Sequence, residues 1–111
     1  MKDLPKRSVL HLDGVTHIMR ILNRKEKTRF TEMMRDLEKE KNPAPNNAAA
    51  LSYRLRALEK TGLVMKDVKS EPGEQVRIFY KLTNDGREAL SHLEELDNIT
   101  KRAILSTAGS H

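Results

Sequence analysis

Asn47–Leu63, NAAALSYRLRALEKTGL, reads as one complete helix with its start and stop written in. Asn47 is an N-cap residue, its side-chain oxygen suited to the unpaired amides of the first turn. Gly62 followed by Leu63 is a left-handed stop with its hydrophobic contact. At about 100° per residue, Leu51, Leu55 and Leu58 fall on one narrow stripe, which must be core. Ala49, Ser52, Tyr53, Arg56 and Lys60 share the opposite side, small at its N-terminal end and otherwise polar, aromatic and cationic. Such a face approaches a phosphate-lined groove without steric obstruction, so this is the candidate recognition helix.

Upstream, Leu12, Val15, Ile18, Met19 and Leu22 recur at helical spacing and predict a core helix over about Leu10–Asn23. Arg24–Lys27 is a charged connector, and Thr28–Phe30 a short extended segment. Thr31 is a plausible cap for a second helix to about Lys41, with Met33, Met34 and Leu37 as its apolar stripe. Pro43 and Pro45 then break the chain between residues 42 and 46. A helix, a break and a second capped helix form the helix-turn-helix order.

After Gly62 the period changes to two. Leu63–Val68 and Val76–Leu82 are rich in branched and aromatic residues, and Pro72-Gly73 between them is a turn dipeptide, so the segment is a hairpin. Ile78, Tyr80 and Leu82 share one face of its second strand and are expected to lie on the helices. Arg77, Phe79 and Lys81 share the other, left in water. Lys66, Lys69, Arg77 and Lys81 are its phosphate candidates, and the helix-end amides at Thr31 and Asn47 are further ones. Thr83 caps a last helix, 84–105, longer than a small core requires. Its stripe, including Leu90, Leu93, Leu96, Thr100, Ala103 and Ile104, reads as a subunit contact.

The fold class expected is therefore α+β and mainly helical. It is a winged helix-turn-helix with a two-stranded hairpin wing and a long C-terminal dimerisation helix. By domain, residues 1–8 are read as a mobile basic arm, 9–105 as the DNA-binding domain, and 106–111 as a flexible tail that ends on a vector-like Gly-Ser-His.

Totals narrow the function. The 111 residues carry 21 Lys and Arg against 16 Asp and Glu, a formal net charge of +5, which favours a polyanionic partner. The last helix has a negative balance, so the surplus is assigned to the arm, the recognition helix and the wing. With no cysteine, disulfides, thiolate metal sites, a cysteine nucleophile and thiol redox sensing are excluded. No apolar run is long enough for a membrane span and no secretory signal is present, so a cytoplasmic protein is expected. His11 and His17 are not at i, i+4 spacing, and His92 with Glu95 is a single i, i+3 pair, so no metal site and no cofactor is expected. No glycine-rich phosphate loop or nucleophile-base pattern appears, so no enzyme is expected either.

Three stretches resemble the HxlR-type family of winged-helix transcription regulators, within the wider group that includes MarR- and PadR-type proteins. They are Arg29–Met33, the run from Leu51 to Val64, and Tyr80–Gly86. With the first-helix pattern around Asp13-Gly14, the resemblance covers about Leu12 to Leu96. It implies a homodimer joined through terminal helices on a pseudo-palindromic operator. Family members that sense electrophiles or oxidants use a cysteine near the first helix, which this chain lacks, so that mechanism does not carry over. The Pro-rich insertion at 42–46 also departs from the compact family turn. The function expected is sequence-specific double-stranded DNA binding by a homodimeric transcription regulator, with helix 48–61 in the major groove and the wing 64–82 on flanking backbone or minor groove. The competing readings are a winged helix used as a protein-interaction module in a transcription or chromatin assembly, and a non-specific chromatin protein.

Overall fold

A computed structural model of the chain describes residues 9–10, 12–40 and 47–108, and from Val15 onward four helices and three strands follow one another among them. They are α1 (Val15–Lys25), β1 (Thr28–Arg29), α2 (Phe30–Lys39), α3 (Ala48–Lys60), β2 (Val64–Lys69), β3 (Arg77–Leu82) and α4 (Asn84–Ala108). The expected basic arm 1–8, His11, the Pro-rich segment 42–46 and the last three residues lie outside the described residues.

Each helix start has a local cause. α1 begins at Val15, not at Leu10, because Gly14 sits in the left-handed region (φ 82) and the chain before it is a turn. Thr31 is not the cap of α2. Arg29, extended at φ −85 and ψ 156, takes that position without a side-chain bond, because its backbone is still engaged with the sheet, and Thr31 falls inside the first turn. Asn47 does cap α3, accepting from the Ala50 amide at 2.8 Å. At the other end of α3 the Leu63 amide donates to the Leu58 carbonyl at 2.9 Å and the Gly62 amide to that of Glu59 at 3.1 Å. These are the paired reverse bonds of a Schellman motif, with Leu58 and Leu63 both buried beside them.

Among the described residues the expected two-stranded hairpin is joined by a third strand. β2 and β3 pair antiparallel from Val64 opposite Leu82 to Lys69 opposite Arg77, and β1 adds to the free edge of β3, Thr28 opposite Tyr80 and Arg29 opposite Phe79. One face of this sheet closes a core formed by Val15, Ile18, Met19, Ile21 and Leu22 of α1, Met33 and Leu37 of α2, Leu51, Leu55 and Leu58 of α3, then Leu63, Val64, Leu82 and Leu90. Burial of this apolar surface is the dominant stabilising term. Ion pairs at the surface link the helices already packed by this core: Arg24–Glu40 and Lys25–Asp36, each 2.6 Å, join α1 to α2, and Arg20–Glu94 at 3.4 Å joins α1 to α4.

The core-facing side of the hairpin is shorter than expected. Tyr80 is half-buried and Leu82 buried, but Ile78 is 42% exposed and faces water beside its cross-strand partner Val68. The hairpin extends past the described helices there, so its alternating pattern continues with no described residue to cover it.

Candidate nucleic-acid interface

Three buried leucines of α3 hold the helix by one side and leave the opposite row in water. Ala49, Tyr53, Arg56 and Lys60 are exposed on that row, with Tyr53 at 43%. Neither the Tyr53 nor the Arg56 side chain has a hydrogen bond or ion pair to any described residue. Ser52 sits on the flank, half-buried, because its direction lies about midway between core and water. Residues 48–50, all alanine, keep the N-terminal turn of this row free of bulk.

Arg54 does something different. Its Nε donates to the carbonyl of Asp13 and its Nη1 to the carbonyl of Ala50 at 3.0 Å. One guanidinium therefore joins α3 to the turn before α1, and its contacts are carbonyls in place of the carboxylate that an ion pair would need. Arg54→Ala is expected to lower unfolding free energy by about 1.5 kcal/mol. Arg54→Lys should not restore it, since an ammonium lacks the planar fork that serves both acceptors. Urea denaturation of the two variants checks this.

The wing presents less free charge than its sequence suggests. Between Val64 and Leu82 four cations stand with three acids, and three of those cations are paired: Lys66 with Glu59 at 3.6 Å, Lys69 with Asp67 at 3.6 Å, and Arg77 with Glu74 at 3.5 Å. All are at least one-third exposed on the basic side, so each pair is weak and a phosphate can compete for the cation. Register separates the candidates. Lys69, Arg77 and Lys81 share one face of the sheet, whereas Lys66 lies opposite Tyr80 on the other and reaches back to α3. Lys81 is half-buried and lines a cleft with Asn23, Glu26 and Arg87, turned toward the end of α1. Thr31 and Asn47 are exposed near the starts of α2 and α3.

A residue outside the sequence expectations joins this surface. Lys27 places its ammonium 5.0 Å from the Phe79 ring centroid, a cation–π contact, and pairs with Asp67 at 3.7 Å. A two-residue strand carries no periodicity, so the pairing that brings Lys27 and Arg29 beside the wing left no signal in the sequence beyond the extended character of 28–30.

The long helix divides its apolar residues between two uses. Leu90, at 2% exposure, and Leu93, half-buried, pack into the chain's own core. Leu96 (60% exposed), Ile99, Ile104 (63%) and Leu105 are left bare, together with exposed Thr100 and Ala103. Among the described residues no group of three or more metal-ligating side chains converges, and no helix is long and apolar enough to cross a membrane.

The model of the HxlR-like helix-turn-helix family matches residues 15–107. Among solved structures, the reduced form of the transcriptional regulator YodB from B. subtilis aligns with a TM-score of 0.67 and 23% identity over 83% of this chain and 81% of that one. A PadR-like transcription factor from Bacteroides fragilis gives 0.72 and 20% over 84% and 87%. A PadR family transcriptional regulator from Eggerthella lenta DSM 2243 gives 0.70 and 22% over 95% and 92%. At these identities the likeness is one of fold. A search of curated proteins finds no match.

Proposed function

The chain belongs to the HxlR-like helix-turn-helix family of transcription regulators, and from that premise we propose that it binds double-stranded DNA sequence-specifically as a homodimer. The observation that carries this reading is the row Ala49, Tyr53, Arg56 on α3, exposed and opposite a fully buried leucine stripe. In the proposed complex α3 enters the major groove with its alanine turn leading. Arg56 pairs bidentately with a guanine edge, Tyr53 contacts a phosphate or a thymine methyl, and the wing lies on flanking backbone or minor groove.

The second copy of the chain covers the bare end of α4. Its charge order favours an antiparallel pairing: Glu94, Glu95 and Asp97 precede Lys101 and Arg102, so reversing one helix sets each acidic stretch beside the partner's basic one. A two-fold axis between the subunits then presents two recognition helices to an inverted repeat. Without cysteine, any signal that releases this regulator acts by chemistry other than thiol oxidation.

Selection of bound fragments from a random duplex library, with the protein's mass in solution measured alongside, tests the proposal. An inverted repeat with half-sites about one helical turn apart, bound by a dimer, is the expected result. Enrichment of no sequence, with binding that vanishes as salt rises, makes it a general DNA binder. Stoichiometric binding to an acidic protein with no DNA bound makes it a protein-interaction module. On the selected site Arg56→Ala is expected to cost about 1 to 3 kcal/mol and to relax one base position. Equal weakening on selected and random duplex would reassign Arg56 to a phosphate.

A further inference from the structure

Arg29 and Arg77 arrive at one place from opposite ends of the module. Arg29 lies on the edge strand β1 directly across from Phe79, and the alternation of β3 puts Phe79 and Arg77 on the same face. The two arginines are therefore diagonal cross-strand neighbours, a relation that sets Cβ atoms about 7 Å apart. Between their side chains runs an open cleft of about 350 Å³, completed by Glu74 and Gln75. Arg29 is exposed, and its side chain makes no hydrogen bond or ion pair to a described residue. The Arg77 guanidinium meets Glu74 at 3.5 Å, with both side chains about half exposed.

We propose that this cleft is a phosphodiester subsite that grips the DNA backbone flanking each half-site, with Glu74 as a built-in competitor for the Arg77 guanidinium. Two forked, always-charged donors on either side of a cleft match the oxygens of a single phosphate, and the Gln75 amide adds a neutral donor. One carboxylate against two guanidiniums leaves the cleft net positive, and the Arg77–Glu74 pair is weak enough in water for a phosphate to displace it. DNA is favoured over an acidic protein because the cleft lies at the turn end of the hairpin that the reading above lays along the DNA backbone. The inference rests on the DNA-binding reading above and adds Arg29 to it.

Fluorescence anisotropy on the selected site and on a random-sequence duplex, over a series of salt concentrations, tests it with three proteins: the wild type, Arg29→Ala and Glu74→Gln. Arg29→Ala should weaken both duplexes by a similar factor, on the order of tenfold. It should also make the slope of log affinity against log salt shallower by about 0.9 per bound protomer. Glu74→Gln should strengthen both duplexes. Arg29 caps α2 without its side chain, so urea unfolding of Arg29→Ala should match the wild type and exclude a folding defect. If the wild type binds DNA and Arg29→Ala leaves affinity and slope unchanged, the subsite falls and the DNA reading stands. Loss confined to the selected site would make Arg29 a base reader and overturn the phosphate assignment. If the wild type binds neither duplex, both proposals fall together.

Discussion

Gly86→Ala is expected to destabilise the folded chain by about 3 kcal/mol. The sign is the informative part, because in an exposed helix the same substitution stabilises by up to about 1 kcal/mol. Gly86 lies in the first turn of α4, where an added Cβ would run into the backbone carbonyl of Leu63 and come within 3.1 Å of a Leu82 methyl carbon. That carbonyl is already held, accepting from the Thr83 amide at 3.1 Å. The Thr83 hydroxyl donates to the Gly62 carbonyl at 2.7 Å and accepts from the Gly86 amide at 3.0 Å. The end of α3, the start of β2 and the start of α4 thus meet at one hydrogen-bonded junction, with room for hydrogen only. Denaturant unfolding of Gly86→Ala measures the effect. An unchanged or raised midpoint would show that the junction relaxes, and that α4 is not seated as described.

Replacing Leu96 and Ile99 together by glutamate is expected to yield a folded monomer whose affinity for the selected site is reduced at least on the order of a hundredfold. Leu96 is 60% exposed and Ile99 44%, so neither contributes much to the single chain, whereas four buried charges per dimer would be intolerable at an apolar interface. Loss of the dimer converts one two-site encounter into two independent half-site encounters, and the effective-concentration advantage disappears. Sedimentation of the variant gives its mass, and circular dichroism its fold. Leu90→Ala is the useful contrast: at 2% exposure Leu90 belongs to the core, so that variant should lose stability of the chain itself, by about 2 to 5 kcal/mol. A double-glutamate variant that remains dimeric would place the subunit contact elsewhere.

Helix α3 was legible from its own residues. Its cap, its leucine stripe and its glycine stop are events within one or two turns, so Asn47, Leu51, Leu55, Leu58 and Gly62 specify it without help from distant parts of the chain. The same holds for the Thr83 cap of α4 and for the hairpin, whose two-residue period and Pro72-Gly73 turn are nearest-neighbour signals. The HxlR-like pattern in Leu51–Val64 and Tyr80–Gly86 follows from these local devices, and so the fold was readable.

What the sequence left open depends on residues far apart along it. Arg29 becomes a neighbour of Phe79 only when β1 adds to the sheet edge. The field of the wing cations is partly offset by Glu59, Asp67 and Glu74, which composition counts but does not pair. Ile78 is exposed because the hairpin outruns the helices beneath it, although its alternation marks it for burial. Along α4 one apolar stripe, weakened in its middle by Asp97 and Thr100, serves two purposes, core at Leu90 and Leu93 and open surface from Leu96 onward. Periodicity reports that a face is apolar, and hydrophobicity has no direction beyond that. Whether the chain itself or a second molecule covers such a face depends on where the other elements end, and only the tertiary structure decides it.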